Sequence, residues 1–264
     1  MGESPWGFES LRPHECGYWQ GVLMLEFKVG SYPIRVHWSY LLLIILVLNA
    51  RWGLIGIAIW LAVAFVSILI HEFGHAFMVR RKGAILNHIM LYGLGGVTVW
   101  NEQYGSSVGW KDRILISAAG PITGIASGLV VFAGIRFGLF GEVMQSVITV
   151  PWRVGLGLWA FQGAWGSFAV ASLVWVGLMW GLINLLPIGG LDGSHILGEI
   201  LERRNPRDGR KTAAWVGIIV ATAAAVYAIV VWRSWFIAFV FAMFALNDYA
   251  RVNDQPPPFG NIRQ

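Results

Sequence analysis

The 264-residue chain has few cysteines and few charges. Cys16 is its only cysteine, so the chain can form neither an internal disulfide nor a zinc site built from cysteines. Charged residues make up only 12% of the sequence, whereas a soluble domain carries about 25%. With 56% hydrophobic residues, a soluble fold of this size would have to expose a largely apolar surface. The shortage of charge therefore excludes an ordinary soluble protein and indicates that lipid surrounds the chain.

Long apolar runs separated by short polar segments predict an all-α, polytopic membrane protein. Six runs are close to the ~20 residues that a helix needs to cross the apolar core of a bilayer. The apolar stretch 136–166 is interrupted by polar residues and a proline, and we expect an interfacial or re-entrant connection there. The six predicted spans are residues 34–50, 54–77, 114–135, 168–187, 213–232 and 235–250.

The distribution of basic residues predicts the orientation of these spans. All but four of the 19 Lys and Arg residues fall on the side that holds both termini and the loops after the second and fourth spans. By the positive-inside rule, we expect that side to be cytoplasmic. These residues flank apolar runs, which favours contact with anionic lipid headgroups and argues against nucleic acid as a partner. We divide the chain into a polar N-terminal segment (1–33), a polytopic domain (34–250, core 54–200) and a polar C-terminal tail (251–264).

The end of the second run carries the sequence His71-Glu72-Phe73-Gly74-His75. Residues four apart share a helix face, so both imidazoles can bind one metal ion while Glu72 lies beside them. Zn²⁺ held by neutral imidazoles lowers the pKa of a bound water, and an adjacent carboxylate can then remove its proton. The alternative is a pair of structural histidines, but ionisable residues inside a membrane are costly and usually functional. At ~1.5 Å per residue, His71 lies about 26 Å beyond Leu54, which is still inside the apolar slab.

The segment 184–193, with the sequence Asn-Leu-Leu-Pro-Ile-Gly-Gly-Leu-Asp-Gly, offers a further ligand. Pro187 disrupts the fourth run and the two glycines after it permit a tight turn before Asp192. Asp192 lies on the same side of the membrane as His75, so we expect its carboxylate to bind the metal. Its alternative role is to cap the helix that follows, at about 193–201.

The remaining histidines are weaker candidates. His195 follows Asp192 closely and is an alternative ligand or a neighbour of the ligands. The simpler interpretation is a residue at the start of a helix, facing the cytoplasm. We assign His14, His37 and His88 no role in metal binding, because the sequence shows no partner for any of them.

Together the two motifs resemble the site-2 protease family of intramembrane zinc metalloproteases, which pair HExxH with a distant NxxPxxxLDG. Shorter matches at residues 36–39, 93–96 and 119–121 support the resemblance, which covers roughly residues 30–200. It implies a three-helix core formed by the second, third and fourth spans. It also implies one Zn²⁺ per chain bound by His71, His75 and Asp192, with Glu72 as the catalytic base.

The resemblance extends to the substrate. It implies that Asn184 helps to hold the substrate or the developing oxyanion. It also implies a small membrane-associated β-hairpin or loop after the second span, with Gly95 and Gly96, that pairs with an unwound substrate strand. An edge strand near 91–99 could accept an extended peptide by strand addition, and a plain glycine-rich loop is the alternative.

These patterns predict an intramembrane zinc metalloendopeptidase that cleaves single-span membrane proteins within or near the bilayer. We expect a multi-pass protein of a prokaryotic cell membrane, and an organelle membrane is the alternative compartment. Two other functions would use the same residues. A transporter or metal/proton-binding protein would use the His/Asp cluster to move its cargo, and a non-catalytic scaffold would have no need for Glu72.

Overall fold

The computed structural model describes residues 24–47, 52–93, 95–102, 108–140 and 165–255. Within these ranges the chain forms four strands, a 3-10 helix and six α-helices. In chain order these are β1 (Met24–Val29), β2 (Tyr32–His37), the 3-10 helix (Trp38–Val47), α1 (Gly53–Arg81), β3 (Ile85–Tyr92), β4 (Gly95–Asn101), α2 (Trp110–Arg136), α3 (Trp165–Asn184), α4 (Asp192–Arg204), α5 (Gly209–Val230) and α6 (Trp235–Val252).

Five of these helices are long and apolar enough to cross a membrane, namely α1, α2, α3, α5 and α6. They coincide with the last five predicted spans, which confirms a polytopic helical fold. Their outward faces carry large apolar side chains such as Leu54, which is 82% exposed, and Val130, which is 71% exposed. Lipid is the solvent in which such faces are stable.

The first predicted span, 34–50, is wrong as a helix. Its residues form most of β2 and the 3-10 helix, and residues 48–51 lie outside the described part of the chain. Side chains in β2 alternate, with Ile34 buried and Arg35 paired with Glu26 of β1 at 3.0 Å. Hydropathy reports that a segment is buried but not which hydrogen bonds its backbone makes. An apolar strand therefore resembles a short span.

The predicted hairpin is part of a larger sheet. The four strands have the order β1-β2-β3-β4, with antiparallel pairs at both ends and a parallel β2–β3 pair in the middle. The β3–β4 pair is the expected hairpin after α1, and β4 is an edge strand. Residues 24–33, from the polar N-terminal segment, supply β1 and the turn into β2. The sheet packs against α1, so one of its edges runs beside the HExxH sequence.

Helices α1, α2 and α3 pack against one another, as the resemblance implied. Glycines allow the close approach. A Cβ atom on Gly74 of α1 would lie 2.5 Å from the Ala119 carbonyl oxygen of α2, and one on Gly177 of α3 would lie 3.1 Å from the Gly124 carbonyl oxygen. Helix α4 packs on α2 and α5, and α5 and α6 form an antiparallel pair. The predicted connection 136–166 falls largely on residues 141–164, which lie outside the described residues.

Charged contacts collect at one end of the molecule, where α1 ends and α2 begins. They join the first turn of the sheet to α1, α1 to α2, α2 to α4, and α5 to the residues that follow α6. The four contacts are Arg80 Nη2 donating to the Ser31 carbonyl at 2.6 Å, Lys82–Asp112 at 2.7 Å, Arg113–Glu199 at 3.7 Å and Lys211–Asp254 at 2.7 Å.

Candidate metal centre

His71 and His75 of α1 and Asp192 of α4 come together in the interior of the molecule. The Nε2 atom of His71 lies 3.1 Å from Asp192 Oδ2 and 3.2 Å from His75 Nε2. The Nε2 atom of His75 lies 3.3 Å from the other carboxylate oxygen, Asp192 Oδ1. All three side chains are buried, and each is within reach of one common ion.

A hydrogen bond on the other side of the ring turns the Nε2 atom of His75 towards Asp192 and His71. His75 Nδ1 donates a hydrogen bond of 2.7 Å to the Ile116 carbonyl of α2. In a neutral imidazole, the lone pair of Nε2 then faces Asp192 and His71. That lone pair, next to Asp192 Oδ1 at 3.3 Å, is the one with which the ring could bind a metal ion. The carbonyl of Ile116 thus fixes the orientation of the His75 ring.

The spacing of the donor atoms fits Zn²⁺. With bonds of about 2.0–2.1 Å, the ligand atoms of a tetrahedral zinc site lie roughly 3.3 Å apart. The two imidazole nitrogens are 3.2 Å apart, and each has a carboxylate oxygen of Asp192 at 3.1 or 3.3 Å, His71 facing Oδ2 and His75 facing Oδ1. A carboxylate and two imidazoles leave one tetrahedral position for water or substrate.

Glu72 lies beside this cluster and is held by Thr98 of β4. The Thr98 hydroxyl donates to Glu72 Oε2 at 2.7 Å and lies 3.1 Å from the backbone carbonyl oxygen of Glu72. Both side chains are buried. Thr98 was not predicted from the sequence. A signal was present, because Gly96 and Thr98 are two residues apart in a strand and so share the face turned towards Glu72.

Two glycines make room for the functional side chains. A Cβ atom on Gly96 of β4 would lie 2.6 Å from Glu72 Cγ. One on Gly120 of α2 would lie 2.1 Å from His75 Nε2. The neighbouring Gly95 has φ = +131°, and a Cβ atom there would lie 2.4 Å from Trp180 of α3. Gly95, Gly96 and Gly120 are therefore required by side chains at the site itself.

Two cavities meet at Asp192. The first contains His71 and Glu72 and extends past β4 to Asn184 and to three aromatic side chains. Asn184, at the end of α3, donates from Nδ2 to the Trp180 carbonyl at 2.8 Å. The structure thus brings Asn184 and Gly96 into the same cavity as Glu72, while Gly95 contacts Trp180 in its wall. The aromatic residues that line this cavity are Tyr92, Trp180 and Phe244.

The second cavity contains His75 and leads to the charged end of the molecule, past Arg113 and Glu199. His195 lines it one turn after Asp192, and burial lowers the pKa of His195 to about 4, so the ring is neutral near pH 7. Among the described residues, the group whose donor atoms could share an ion is His71, His75 and Asp192, without His195. The centre thus lies between a cavity lined in part by charged side chains and an aromatic, strand-lined cavity.

The sequence model of Peptidase family M50 matches residues 59–226. This range contains both motifs and more than half of the chain. The chain belongs to peptidase family M50. The M50 chain is also similar in sequence to two curated proteins. Rip3 of Mycobacterium tuberculosis, named as a candidate zinc metalloprotease, is 29% identical over 187 residues, covering 71% of this chain and 38% of Rip3. Zinc metalloprotease MJ0392 of Methanocaldococcus jannaschii is 23% identical over 180 residues, covering 67% of this chain and 45% of MJ0392.

The M50 chain therefore spans less than half the length of either relative. A solved structure, the site-2 protease from Methanocaldococcus jannaschii, superimposes with a TM-score of 0.53 at 18% identity. The superposition covers 87% of this chain and 95% of that one, so the two share a fold. With its apolar helices and M50 membership, the chain is a multi-pass membrane protein.

Proposed function

We propose that this M50 chain is an intramembrane zinc metalloendopeptidase that hydrolyses peptide bonds of single-span membrane proteins. The observation that carries the proposal is the convergence of three buried side chains, with contacts of 3.1–3.3 Å between their nitrogen and oxygen atoms, next to a buried Glu72 on a membrane helix. His71, His75 and Asp192 are the proposed ligands and Glu72 is the proposed base. A transporter would need the same donors but has no use for a carboxylate held by Thr98 beside them.

The chemistry follows from the division of roles among these residues. When bound, Zn²⁺ lowers the pKa of a coordinated water and polarises the scissile carbonyl. Glu72 accepts a proton from the attacking water as the water oxygen bonds to the carbonyl carbon. As the C–N bond breaks, Glu72 returns that proton to the leaving amine. Thr98 holds Oε2 of Glu72, which leaves Oε1 to exchange the proton.

The substrate strand has a natural position beside β4. The outer edge of β4 is free of a neighbouring strand within the described sheet, and it borders the cavity that contains Glu72 and Asn184. An extended peptide can add to such an edge through backbone hydrogen bonds. Asn184 uses one amide hydrogen on the Trp180 carbonyl, and its second hydrogen is available to the carbonyl of a bound peptide. Gly95 and Gly96 let Trp180 and Glu72 pack directly on the backbone of this strand.

The proposed setting is a prokaryotic cell membrane with the charged end of the molecule in the cytoplasm. In this orientation the second cavity, with Arg113 and Glu199 at its outer part, supplies water from the cytoplasm. The peptide approaches from the first cavity, on the other side of Asp192. Water and substrate thus reach the centre from different sides.

The test is to measure metal content and cleavage on the purified chain. We expect about one zinc per chain, and we expect His71→Ala, His75→Ala and Asp192→Ala each to lose most of it. Glu72→Gln is nearly isosteric and should keep the metal, while cleavage of a single-span reporter falls by at least ~10²-fold. His195→Ala is the matched control and should keep the zinc. Full zinc in Asp192→Ala would remove the third ligand, and near-normal cleavage by Glu72→Gln would remove the general base.

A further inference from the structure

Asp248 is a buried carboxylate to which the proposed reaction gives no role. It lies four residues before the end of α6, and only 1% of its surface is exposed. A carboxylate in the interior of a membrane protein is costly and persists where it is paired and useful. Its contacts therefore indicate what it does.

The contacts of Asp248 lead to the loop that carries Asp192. Oδ2 accepts a hydrogen bond of 2.7 Å from the backbone N–H of Gly189, in the loop between α3 and α4. Oδ1 accepts one of 3.2 Å from Arg251 Nη1, one turn further along α6. Gly189 is three residues before Asp192. Between them, Gly190 turns the chain with φ = +95°.

The surroundings leave space for this carboxylate and little else. A Cβ atom on Gly189 would lie 2.0 Å from Asp248 Oδ1, and one on Gly217 of α5 would lie 2.2 Å from Oδ2. A Cβ atom on Gly217 would also lie 3.1 Å from the Pro187 carbonyl oxygen, so this position faces the loop. Beside the carboxylate, Ile188 and Leu191 of the loop pack on α5 and α6 through Ala221 and Phe244. The loop is thus seated in the α5–α6 pair, with Asp248 as the polar contact.

We propose that Asp248 is a positioning residue for the Asp192 ligand. Through the Gly189 amide, α6 fixes the turn that aims the Asp192 carboxylate at His71 and His75. The inference rests on the proposed metal centre, because it takes Asp192 to be a ligand. A charge-assisted hydrogen bond to a backbone N–H is one of the stronger hydrogen bonds in proteins. It can therefore offset the conformational entropy that the loop loses when it is fixed in one conformation.

The experiment is a double-mutant cycle on zinc affinity, measured by chelator competition on the full-length, detergent-solubilised chain. Asp248→Ala is expected to weaken zinc binding roughly 10–100-fold, the scale for a lost hydrogen bond to a charged group. In an Asp192→Ala background the same substitution should have almost no further effect, because the ligand through which it acts is already gone. Equal losses in both backgrounds would show a general structural role and overturn the proposal, as would no loss in either.

Asn247→Ala is the matched control. Asn247 is the preceding residue of α6 and is also buried, and its Oδ1 atom has no hydrogen-bond partner among the described residues. It should leave zinc affinity unchanged in both backgrounds. Asp248→Asn is the second disruptive variant, for use if the alanine protein does not fold. Its neutral oxygen makes a weaker bond to Gly189, so a loss of roughly threefold to tenfold is expected, again only while Asp192 is present. An Asn protein with native affinity would overturn the proposal.

A second measurement needs no metal. Amide hydrogen exchange on the zinc-free protein should be faster in the loop 185–191 for Asp248→Ala and Asp248→Asn, with α1 near His71 unchanged. Unchanged exchange in the loop would overturn the positioning role. A native chain that binds no zinc would instead refute the proposed function, while exchange in the loop would still report on the Asp248–Gly189 bond.

Discussion

Thr98 lies 26 residues after Glu72 in the sequence, yet its hydroxyl donates to the Glu72 carboxylate at 2.7 Å. Thr98→Val removes this bond and nearly keeps the shape of the side chain. A hydrogen bond to a charged group contributes ~1.5–3 kcal/mol, so cleavage should fall roughly 10–100-fold. Zinc content should not change, because Thr98 does not touch the proposed ligands.

Steady-state kinetics distinguish this role from a general effect on the fold. The expected signature for Thr98→Val is a lower kcat with KM nearly unchanged, because the base acts in the chemical step. Thr98→Ser keeps the hydroxyl and should recover most of kcat. A serine variant as slow as the valine variant would show that the methyl packing of Thr98 matters and that its hydroxyl does not.

Single residues differ in how far the sequence predicts them. His71, Glu72 and His75 share one turn of helix, so their spacing alone placed them together. Asp192 could be proposed as a ligand because a proline and two glycines predict a turn before it. Thr98 and Asp248 carry no such local pattern. Their contacts with Glu72 and with the Gly189 amide exist only once β4 packs on α1 and α6 packs on the loop.

At the scale of helices and strands, two glycine positions can test whether β4 supports the base and α2 supports a ligand. Gly96→Ala should displace Glu72, because its Cβ atom would lie 2.6 Å from Glu72 Cγ. Gly120→Ala should displace His75, because its Cβ atom would lie 2.1 Å from Nε2. We therefore expect the Gly96 variant to lose cleavage but keep zinc, and the Gly120 variant to lose both.

Gly198→Ala is the matched control for these two substitutions. Gly198 lies in α4, and a Cβ atom there meets nothing within 4 Å. Alanine is favoured over glycine within a helix by up to ~1 kcal/mol, so this variant should keep zinc and activity and be slightly more stable. Metal analysis and reporter cleavage on the three variants suffice. Zinc loss in the Gly96 variant would mean that β4 supports the ligands as well as the base.

The elements also show where hydropathy stops being informative. Hydropathy predicted α1, α2, α3, α5 and α6 correctly, because each contains an unbroken apolar run of helical length. It misassigned residues 34–50, where an alternating strand joins a 3-10 helix along α1. The parallel β2–β3 pairing could not be foreseen, since it joins segments on opposite sides of α1 in the chain. Strand pairing depends on partners that are distant in sequence, whereas a spanning helix satisfies its own backbone.

At the scale of the whole molecule, the charged contacts predict which loops face the same compartment. The turn at Ser31 contacts Arg80, and Lys211 pairs with Asp254, so both belong to the end that we place in the cytoplasm. Single-cysteine variants in a Cys16→Ser background can test this with a membrane-impermeant thiol reagent. We expect labels at positions 31 and 207 from the cytoplasmic side and at 137 and 233 from the other.

Labelling of position 31 from the same side as position 137 would contradict this arrangement. The termini lie outside the described residues, so our prediction that both are cytoplasmic needs reporter fusions at each end. Five spanning helices alone would put the termini on opposite sides. However, β2 and the 3-10 helix together run along α1 from the charged end towards the other end. This segment acts as a sixth crossing, so both termini can lie on the same side.

The depth of the centre sets a condition on the substrate. His71 lies ten residues before the end of α1, or about 15 Å below the charged end at ~1.5 Å per residue. A substrate helix at that depth keeps every backbone group bonded internally, whereas the free edge of β4 can pair only with an extended strand. Unwinding must therefore precede cleavage. Glycine costs a helix about 1 kcal/mol per residue, so a glycine pair beside the scissile bond should speed cleavage roughly tenfold or more over a leucine pair.

The measurement is kcat/KM for single-span reporters that differ only in this pair, reconstituted with the protease in vesicles. The matched control is a short water-soluble peptide with the same two sequences, which has no stable helix to unwind. There the glycine and leucine versions should be cleaved at similar rates. A glycine advantage of the same size in both formats would reflect a preference of the cavity lined by Tyr92, Trp180 and Phe244 for small side chains. No advantage in the bilayer would mean that unwinding does not limit the reaction, and β4 would lose its proposed role in holding the strand.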